Sequence, residues 1–274
     1  MIRKLLRYLL RVTAPQRSGL ALWDLVEIAL VAFGFLAYFL VRGAVVDRTG
    51  DALAHARDIV ALQEALGVWV EPQVNAWVLE HRVVIRVLNF AYFWFDFPLI
   101  VGVGLLLFWR RRACYTLLRD SVLISGALAL ILYWSFPVAP PRYLTEWGFV
   151  DTLEQYSNLS YQAQSMRPFV NPFAAVPSLH VGWAALLAVA VFVATENWLV
   201  RAASIVSFLV QAVAVIGTAN HYLLDGVVGL VVCAVGLAIA VALQRRGYPG
   251  IRALIAWMER TLARRRGQSP AAGV

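Results

Sequence analysis

Apolar residues dominate six stretches of the chain, and each is long enough to cross a hydrocarbon core of ~30 Å as a helix of ~20 residues. Backbone N–H and C=O groups in lipid must be satisfied within the segment, so each stretch is expected to be helical. The pattern predicts an all-α integral membrane protein with six transmembrane helices. The predicted spans are 22–42, 90–109, 118–136, 178–195, 199–218 and 222–243.

Less apolar segments surround and interrupt these spans. We predict a basic cytoplasmic segment at 1–21, a catalytic membrane domain at 22–243 and a basic cytoplasmic tail at 244–274. Within the domain, 51–88 alternates apolar and charged positions and predicts two amphipathic helices on the outer leaflet, whereas 137–176 is an outer loop. The amphipathic segment is either a lid that steers lipid or a surface anchor, and the sequence favours the anchor.

Basic residues predict the orientation of the protein. The termini, the 110–119 connection and the 196–201 turn carry 17 of the 24 basic residues. Basic loops stay in the cytoplasm, so both termini are predicted to be cytoplasmic. The net charge of +8 is therefore interpreted as a topology signal and not as a nucleic-acid surface. Lys4 is the single lysine, and this arginine-rich composition favours a bacterial plasma membrane.

Two of the four histidines, His180 and His221, begin apolar spans that open on the predicted outer face. Arg142 begins the outer loop on that same face. A histidine at the water boundary can exchange protons or attack phosphorus, whereas one in mid-membrane would be costly. The topology therefore predicts one active site, facing outside, that is built from three separate sequence blocks.

These residue types suit phosphoryl transfer. His221 and Asp225 are spaced i, i+4, so a carboxylate on the same helical face can orient the imidazole. His180 and Ser178 lie at a helix N-terminus, where N–H groups bind phosphate, and Arg142 can hold phosphoryl oxygens. Each residue also has a structural interpretation: a helix cap for Asp225, headgroup contact for Arg142, an interfacial polar residue for either histidine. The shared placement favours catalysis, and no metal-ligand spacing is visible.

The blocks Asn171–His180 and Asn220–Asp225 resemble the signature of the type-2 phosphatidic acid phosphatase superfamily, whose six-helix core is shared with vanadium haloperoxidases. The resemblance covers about residues 90–243. It implies that His221 forms a phosphohistidine, that Asp225 orients it and that His180 protonates the leaving group. It also implies that Arg142 and Ser178 hold the phosphate.

The chain departs from the hydrolase pattern at five positions. Ser135 replaces a lysine, Tyr143 a proline and Leu179 a glycine, and Ala214 and Val215 replace a serine–arginine pair. Two phosphate-binding cations of that pattern are therefore missing. We expect Arg167 or Asn220 to compensate in part.

The altered pattern is similar to the branch that contains fungal inositol phosphorylceramide synthases and, more distantly, sphingomyelin synthases. It implies a lipid phosphotransferase that needs no metal or cofactor and moves a headgroup, such as inositol phosphate, between lipids. The alternatives are a lipid phosphate phosphatase acting on phosphatidic acid or polyprenyl diphosphate, and a non-catalytic membrane scaffold. The expected partners are a phospholipid or polyprenyl phosphate substrate and a lipid acceptor, with no nucleic acid.

Overall fold

The computed structural model describes residues 48–156 and 172–265, together with a few positions between 28 and 36. These parts are helical and contain no β-strand beyond one isolated parallel bridge between Val138 and Ala174. The helices are α1 (Thr49–Ala65), α2 (Glu71–Leu79), α3 (Arg82–Trp94), α4 (Phe97–Arg110), α5 (Arg112–Ser135), α6 (Thr152–Tyr156), α7 (Leu179–Ala194), α8 (Trp198–Gly217), α9 (Leu223–Ala242) and α10 (Tyr248–Arg265). The predicted segment 1–21, most of the span 22–42, and Arg167 lie outside the described residues.

Three described helices are long and apolar enough to span a membrane: α5, α8, and α9 with its continuation to Gly250. A fourth span results if the bent pair of α3 and α4 is counted as one. Helix α7 is apolar but has only 16 residues. The protein is thus an all-helical integral membrane protein, and the count of six spans stays a prediction.

The predicted straight span at 90–109 is two helices that meet at an angle of 47°. Helix α3 ends at Trp94, and α4 begins at Phe97 with Pro98 in its first turn. Proline lacks the N–H that would continue the hydrogen-bond ladder of α3, so the apolar run breaks there. Asp96 lies at the break as the N-terminal flanking residue of α4.

Helices α7 and α9 approach each other closely because glycines face the contact. A Cβ added to Gly229 of α9 would lie 2.1 Å from the Ser178 carbonyl oxygen, and one added to Gly182 of α7 would lie 2.4 Å from Cys233 Sγ. Small residues allow this approach in membrane helices. The chain segment that precedes His180 is therefore packed directly against α9.

The segment 51–88, where two helices were predicted, contains α1, α2 and the first half of α3, and α1 and α2 separate at residues 66–70 and not at Pro72. Pro72 lies in the first turn of α2, where its missing N–H does no harm. One face of α1 is buried, and its residues are Ala52, Ala56, Val60 and Gln63. This face belongs to a core cluster with Val138, Ala139 and Tyr222, so α1 packs on the segments that flank the candidate site.

The loop after α5 is tied to the helices by buried amides. Asn75 Nδ2 donates to the carbonyl oxygens of Val150, at 3.1 Å, and Gly217, at 3.0 Å. Asn89 Nδ2 donates to the Thr152 carbonyl at 2.8 Å. These bonds hold the loop after α5 and the start of α6 against α2, α3 and the end of α8.

Candidate active site

The two predicted catalytic histidines lie side by side although 41 positions separate them in the chain. His180 is in the first turn of α7, and His221 lies in the short connection between α8 and α9. Their ring centroids are 5.4 Å apart, with the rings inclined at 57°. His221 is 5% exposed. The structure therefore brings together two imidazoles at a largely enclosed position.

The ring of His221 is oriented through its Nδ1 atom. Nδ1 lies 2.9 Å from the Ala175 carbonyl oxygen and 3.3 Å from Asp225 Oδ2. Both neighbours are acceptors, so Nδ1 carries the hydrogen, and in the neutral ring the lone pair belongs to Nε2. A neutral imidazole held this way presents Nε2 as the nucleophilic or basic nitrogen.

Asp225 performs both of the tasks that its sequence position allowed. Its carboxylate is fully buried in the first turn of α9. Oδ2 accepts a hydrogen bond from the Tyr222 N–H at 2.8 Å and faces His221 Nδ1. The helix cap and the orientation of the histidine therefore use the same oxygen.

Arg142 is joined to the third block by its side chain and its backbone. It lies in a short 3₁₀ turn, Pro141–Tyr143, and its N–H donates to the Ala219 carbonyl at 3.0 Å. Its guanidinium donates to Asn220 Oδ1, and its Nε is 3.4 Å from Asp151 Oδ2. Partial burial and these partners give the guanidinium one defined position beside Asn220, the residue that precedes His221.

The side-chain amide of Asn220 is hydrogen-bonded at both ends to other residues of the protein. Its Nδ2 donates to the carbonyl oxygen and the hydroxyl of Thr218, at 3.0 and 3.1 Å, while its Oδ1 accepts from Arg142. Both ends of the amide are thus occupied by protein groups. The geometry favours an orienting role for Asn220 toward Arg142. Arg167, the other candidate for compensation, lies outside the described residues.

Ser178 lies at the junction of the second and third blocks. Its N–H donates to the Asp225 carbonyl oxygen at 2.9 Å, which links the start of α7 to the first turn of α9. Its side chain is fully buried, and among the described residues its Oγ has no hydrogen-bond partner. A buried hydroxyl without a partner is rare, and it suits a group that a ligand satisfies.

Sequence reasoning missed two residues that surround His180. Asp96 Oδ2 is 3.4 Å from His180 Nε2, and the Tyr92 ring stacks on the imidazole at a centroid distance of 4.4 Å. A carboxylate at this distance can interact with the imidazole of His180. The available signal was an acidic residue inside the apolar run 90–109, since such residues in membrane segments are rare and usually functional.

The departures from the hydrolase pattern have structural explanations. Ala214 and Val215 are buried in the apolar packing of α8, and the Val215 carbonyl accepts from the N–H groups of Asn220 and His221. Ser135 is exposed and bonds back to the Ile131 carbonyl of its own helix. Leu179 is a buried member of the main apolar core. None of these four side chains supplies a positive charge to the site.

Comparison with known proteins agrees with this arrangement. The model of the PAP2 superfamily matches residues 57–239, which is more than half of the chain. The chain belongs to this superfamily. The family resemblance of the sequence motifs is thereby confirmed, and the protein is an enzyme of a family that acts on lipid phosphates. The matched residues include α2–α5, α7 and α8 and all the site residues described above.

A curated relative is the phosphoinositol dihydroceramide synthase of Bacteroides thetaiotaomicron. It is 27% identical over an alignment of 153 positions, and the alignment covers 50% of this chain and 48% of the relative. The chain thus matches about half the length of that protein. No solved structure matches the chain.

Proposed function

We propose that this protein is a lipid phosphotransferase that moves a phosphorylated headgroup between lipids through a phosphohistidine on His221. The observation that carries the proposal is the pair of acceptors on His221 Nδ1, at 2.9 and 3.3 Å, next to the ring of His180. One imidazole is held as a nucleophile while the other lies close enough to manage the proton of the leaving group.

In the first proposed step, the lone pair of His221 Nε2 forms a bond to phosphorus. The bond between phosphorus and the oxygen of the donor lipid breaks, and His180 gives its proton to that oxygen. The donor leaves as a neutral alcohol. Asp96, 3.4 Å from the His180 ring, supports the protonated form before transfer, and the Asp225 carboxylate stabilises the positive charge on His221.

In the second step, His180 accepts the proton of an acceptor hydroxyl as its oxygen attacks phosphorus. The phosphorus–nitrogen bond breaks, and its electrons return to His221 Nε2. The guanidinium of Arg142 and the Ser178 hydroxyl bind phosphoryl oxygens in both steps. The two steps balance protons and electrons with these side chains alone, so we propose an activity that needs no metal. Among the described residues no group of three histidine, cysteine, aspartate or glutamate side chains has the arrangement of a metal site.

Two observations favour a transferase over a phosphatase. The positions of the missing hydrolase cations are occupied by the uncharged Ser135 and Val215, and a diester headgroup carries less charge than a terminal phosphate. The relative described above is named as a synthase of phosphoinositol dihydroceramide. We infer that inositol phosphate is the first headgroup to test and that diacylglycerol or ceramide is the acceptor.

A phosphatase is the second candidate, because water can resolve the same phosphohistidine. Its substrates would be phosphatidic acid or polyprenyl diphosphate. We further propose that the site faces outside a bacterial plasma membrane, with both termini in the cytoplasm, as the basic loops indicate. A cysteine introduced at 145–156 that impermeant reagents label from the cytoplasmic side would contradict that orientation.

The deciding experiment uses purified wild-type protein and the His221→Ala variant in lipid–detergent micelles. Phosphatidylinositol, phosphatidic acid and a polyprenyl diphosphate are supplied with and without diacylglycerol or ceramide, and both free phosphate and new lipids are measured. A new headgroup-bearing lipid that requires acceptor and His221 supports the transferase. Phosphate release that requires His221 supports the phosphatase. Equal turnover by both proteins would overturn the nucleophile, and a wild type inactive on every substrate would favour the scaffold.

A further inference from the structure

Two buried polar side chains from α1 and α2 reach the N-terminus of α9. Glu71 Oε1 accepts a hydrogen bond from the Leu223 N–H at 2.6 Å, and Gln63 Oε1 accepts from the Leu224 N–H at 3.0 Å. These N–H groups belong to the first two residues of the helix, which have no intrahelical partner. Side chains from a distant part of the chain therefore cap the helix that carries Asp225.

Gln63 and Glu71 also form a hydrogen bond with each other. Gln63 Nε2 donates to Glu71 Oε1 at 2.8 Å, and Glu71 Oε2 accepts from the Val70 N–H at 3.1 Å. Both side chains are fully buried. The carboxylate accepts three hydrogen bonds and faces the positive end of the α9 dipole, which suits a negative charge. The amide orientation of Gln63 follows, because its nitrogen must face the carboxylate.

Helix α1 holds the Arg142 side of the site as well. The Ala139 N–H donates to the Ala52 carbonyl at 3.0 Å, and His55 Nδ1 lies 2.8 Å from the Pro137 carbonyl oxygen. The turn that leads to Arg142 is thus hydrogen-bonded to the N-terminal half of α1. The first turn of α9 is hydrogen-bonded to Gln63, in the C-terminal half of α1. One helix fixes the distance between the two segments.

The first turn of α9 supplies the carboxylate that orients the nucleophile, beside the Ala175 carbonyl. Asp225 Oδ2 accepts from Tyr222 N–H there, and the hydrogen bond that His221 Nδ1 donates to Asp225 Oδ2 is already 3.3 Å long, so a small displacement would break it. If Leu223 and Leu224 lost their acceptors, this turn would be free to shift or to unwind by a residue. A displacement of ~1 Å at a catalytic group can lower a rate by ~100-fold.

We propose that Gln63 and Glu71 are positioning residues for the transfer reaction, acting through the first turn of α9 on Asp225 and His221. This inference rests on the proposed function of His221. It assigns to part of 51–88 a role different from both sequence interpretations, since the paired side chains face inward, away from any lipid surface.

The test compares Glu71→Gln and Gln63→Glu with wild type. Gln63→Glu places two carboxylates together and removes the donor between them. Glu71→Gln keeps one of the two oxygens that accept from the Leu223 and Val70 N–H groups, so one of these donors loses its acceptor. Glu64→Gln is the matched control, because Glu64 lies next to Gln63 on the exposed side of α1. All variants are purified in detergent, and their thermal midpoints are measured.

We expect kcat of headgroup transfer to fall ~10-fold to ~100-fold in Gln63→Glu, with KM changed less than ~3-fold. The ratio of its kcat to that of wild type should rise as the pH falls, because a proton shared by the two carboxylates restores the missing donor. Glu71→Gln should also lose rate but gain nothing from acid, because it brings no second carboxylate, and Glu64→Gln should match wild type. These readouts separate positioning from stability, which does not predict rescue by acid in one variant alone.

Two outcomes would overturn the inference. One is a kcat within ~2-fold of wild type in Gln63→Glu and Glu71→Gln while His221→Ala is inactive. The other is a folded Gln63→Glu variant whose loss of rate is independent of pH. If His221→Ala retains full turnover, the proposed function itself fails, and this result is distinct from both.

Discussion

Replacement of Asp225 by asparagine removes one charge from the site with almost no change in shape. Asp225 Oδ2 accepts from the Tyr222 N–H at 2.8 Å, so that N–H selects the amide oxygen for this position in the variant. The hydrogen on His221 Nδ1 then keeps two acceptors, the amide oxygen and the Ala175 carbonyl at 2.9 Å. The lone pair stays on Nε2, and the kcat of the variant reports the loss of the charge at His221.

The magnitude follows from the difference between a charged and a neutral hydrogen bond. A bond to a charged group contributes about 1.5–3 kcal/mol and a neutral one about 1 kcal/mol, which leaves about 0.5–2 kcal/mol for the charge. We therefore expect kcat to fall ~2-fold to ~30-fold in Asp225→Asn. In a triad whose histidine takes the wrong tautomer, the same replacement lowers the rate ~10⁴-fold. The Ala175 carbonyl is the reason for the smaller expected loss.

The assay is the kcat of headgroup transfer in mixed micelles for wild type, Asp225→Asn and Asp225→Ala, with thermal midpoints in the same detergent. Asp225→Ala should lose more than Asp225→Asn, because the buried Tyr222 N–H also loses its acceptor. Asp225→Asn should itself be destabilised by about 1–3 kcal/mol, because its amide nitrogen takes the place of Oδ1, which is buried and has no partner. A loss near 10⁴-fold with the fold intact would refute the part assigned to Ala175, and an unchanged rate would refute the part assigned to the charge.

The remaining predictions use separate features of the structure. Tyr222→Phe should lower stability by about 1–2 kcal/mol, because the Tyr222 hydroxyl donates to the Ala139 carbonyl at 2.9 Å. Burial raises the pKa of Tyr222, so this contribution should be complete below pH ~10 and should decline only above it, as a denaturation series across pH would show. Gly229→Ala should lower both the thermal midpoint and kcat, since its Cβ would lie 2.1 Å from the Ser178 carbonyl oxygen; a variant with unchanged values would contradict the close contact. Turnover should survive EDTA and be inhibited by vanadate, and loss under chelation that one divalent ion restores would contradict the proposed chemistry. Arg57→Ala should change stability by less than about 0.5 kcal/mol, because the Arg57–Glu146 pair is solvent-exposed; a larger loss would contradict that view.

The strongly apolar helices and the motif residues could be predicted from the sequence. Helices α8 and α9 begin and end within one residue of the predicted spans 199–218 and 222–243, because their apolar runs are long and end in polar residues. The approach of His180 to His221 was expected from topology alone. The spacing and type of the residues within each segment are enough to predict these helices and motifs.

Other features depend on contacts that no local pattern reveals. Glu71 meets a helix N-terminus 152 positions later in the chain, and in the sequence it is one charge among many in an amphipathic segment. Asp96 was missed because it lies within a strongly apolar run, where one charged residue changes the mean hydropathy little. Asn220 is near Arg142 as expected, but its amide is bonded at both ends, which residue type does not predict.

The hydrogen bond from the Ser178 N–H to the Asp225 carbonyl, at 2.9 Å, has a consequence for how an acceptor is chosen. This hydrogen bond joins the backbone of the segment that carries His180 to the backbone of α9, which carries Asp225. Close contacts at glycines pack the two segments tightly against each other. We therefore expect the two imidazoles to keep their spacing when substrate binds. In the proposed transferase, such a site would not reject water by staying unassembled until lipid arrives. Discrimination between water and a lipid hydroxyl would then come from which molecules reach the gap between the rings, so selectivity should respond to changes along the entrance more than to changes at the histidines.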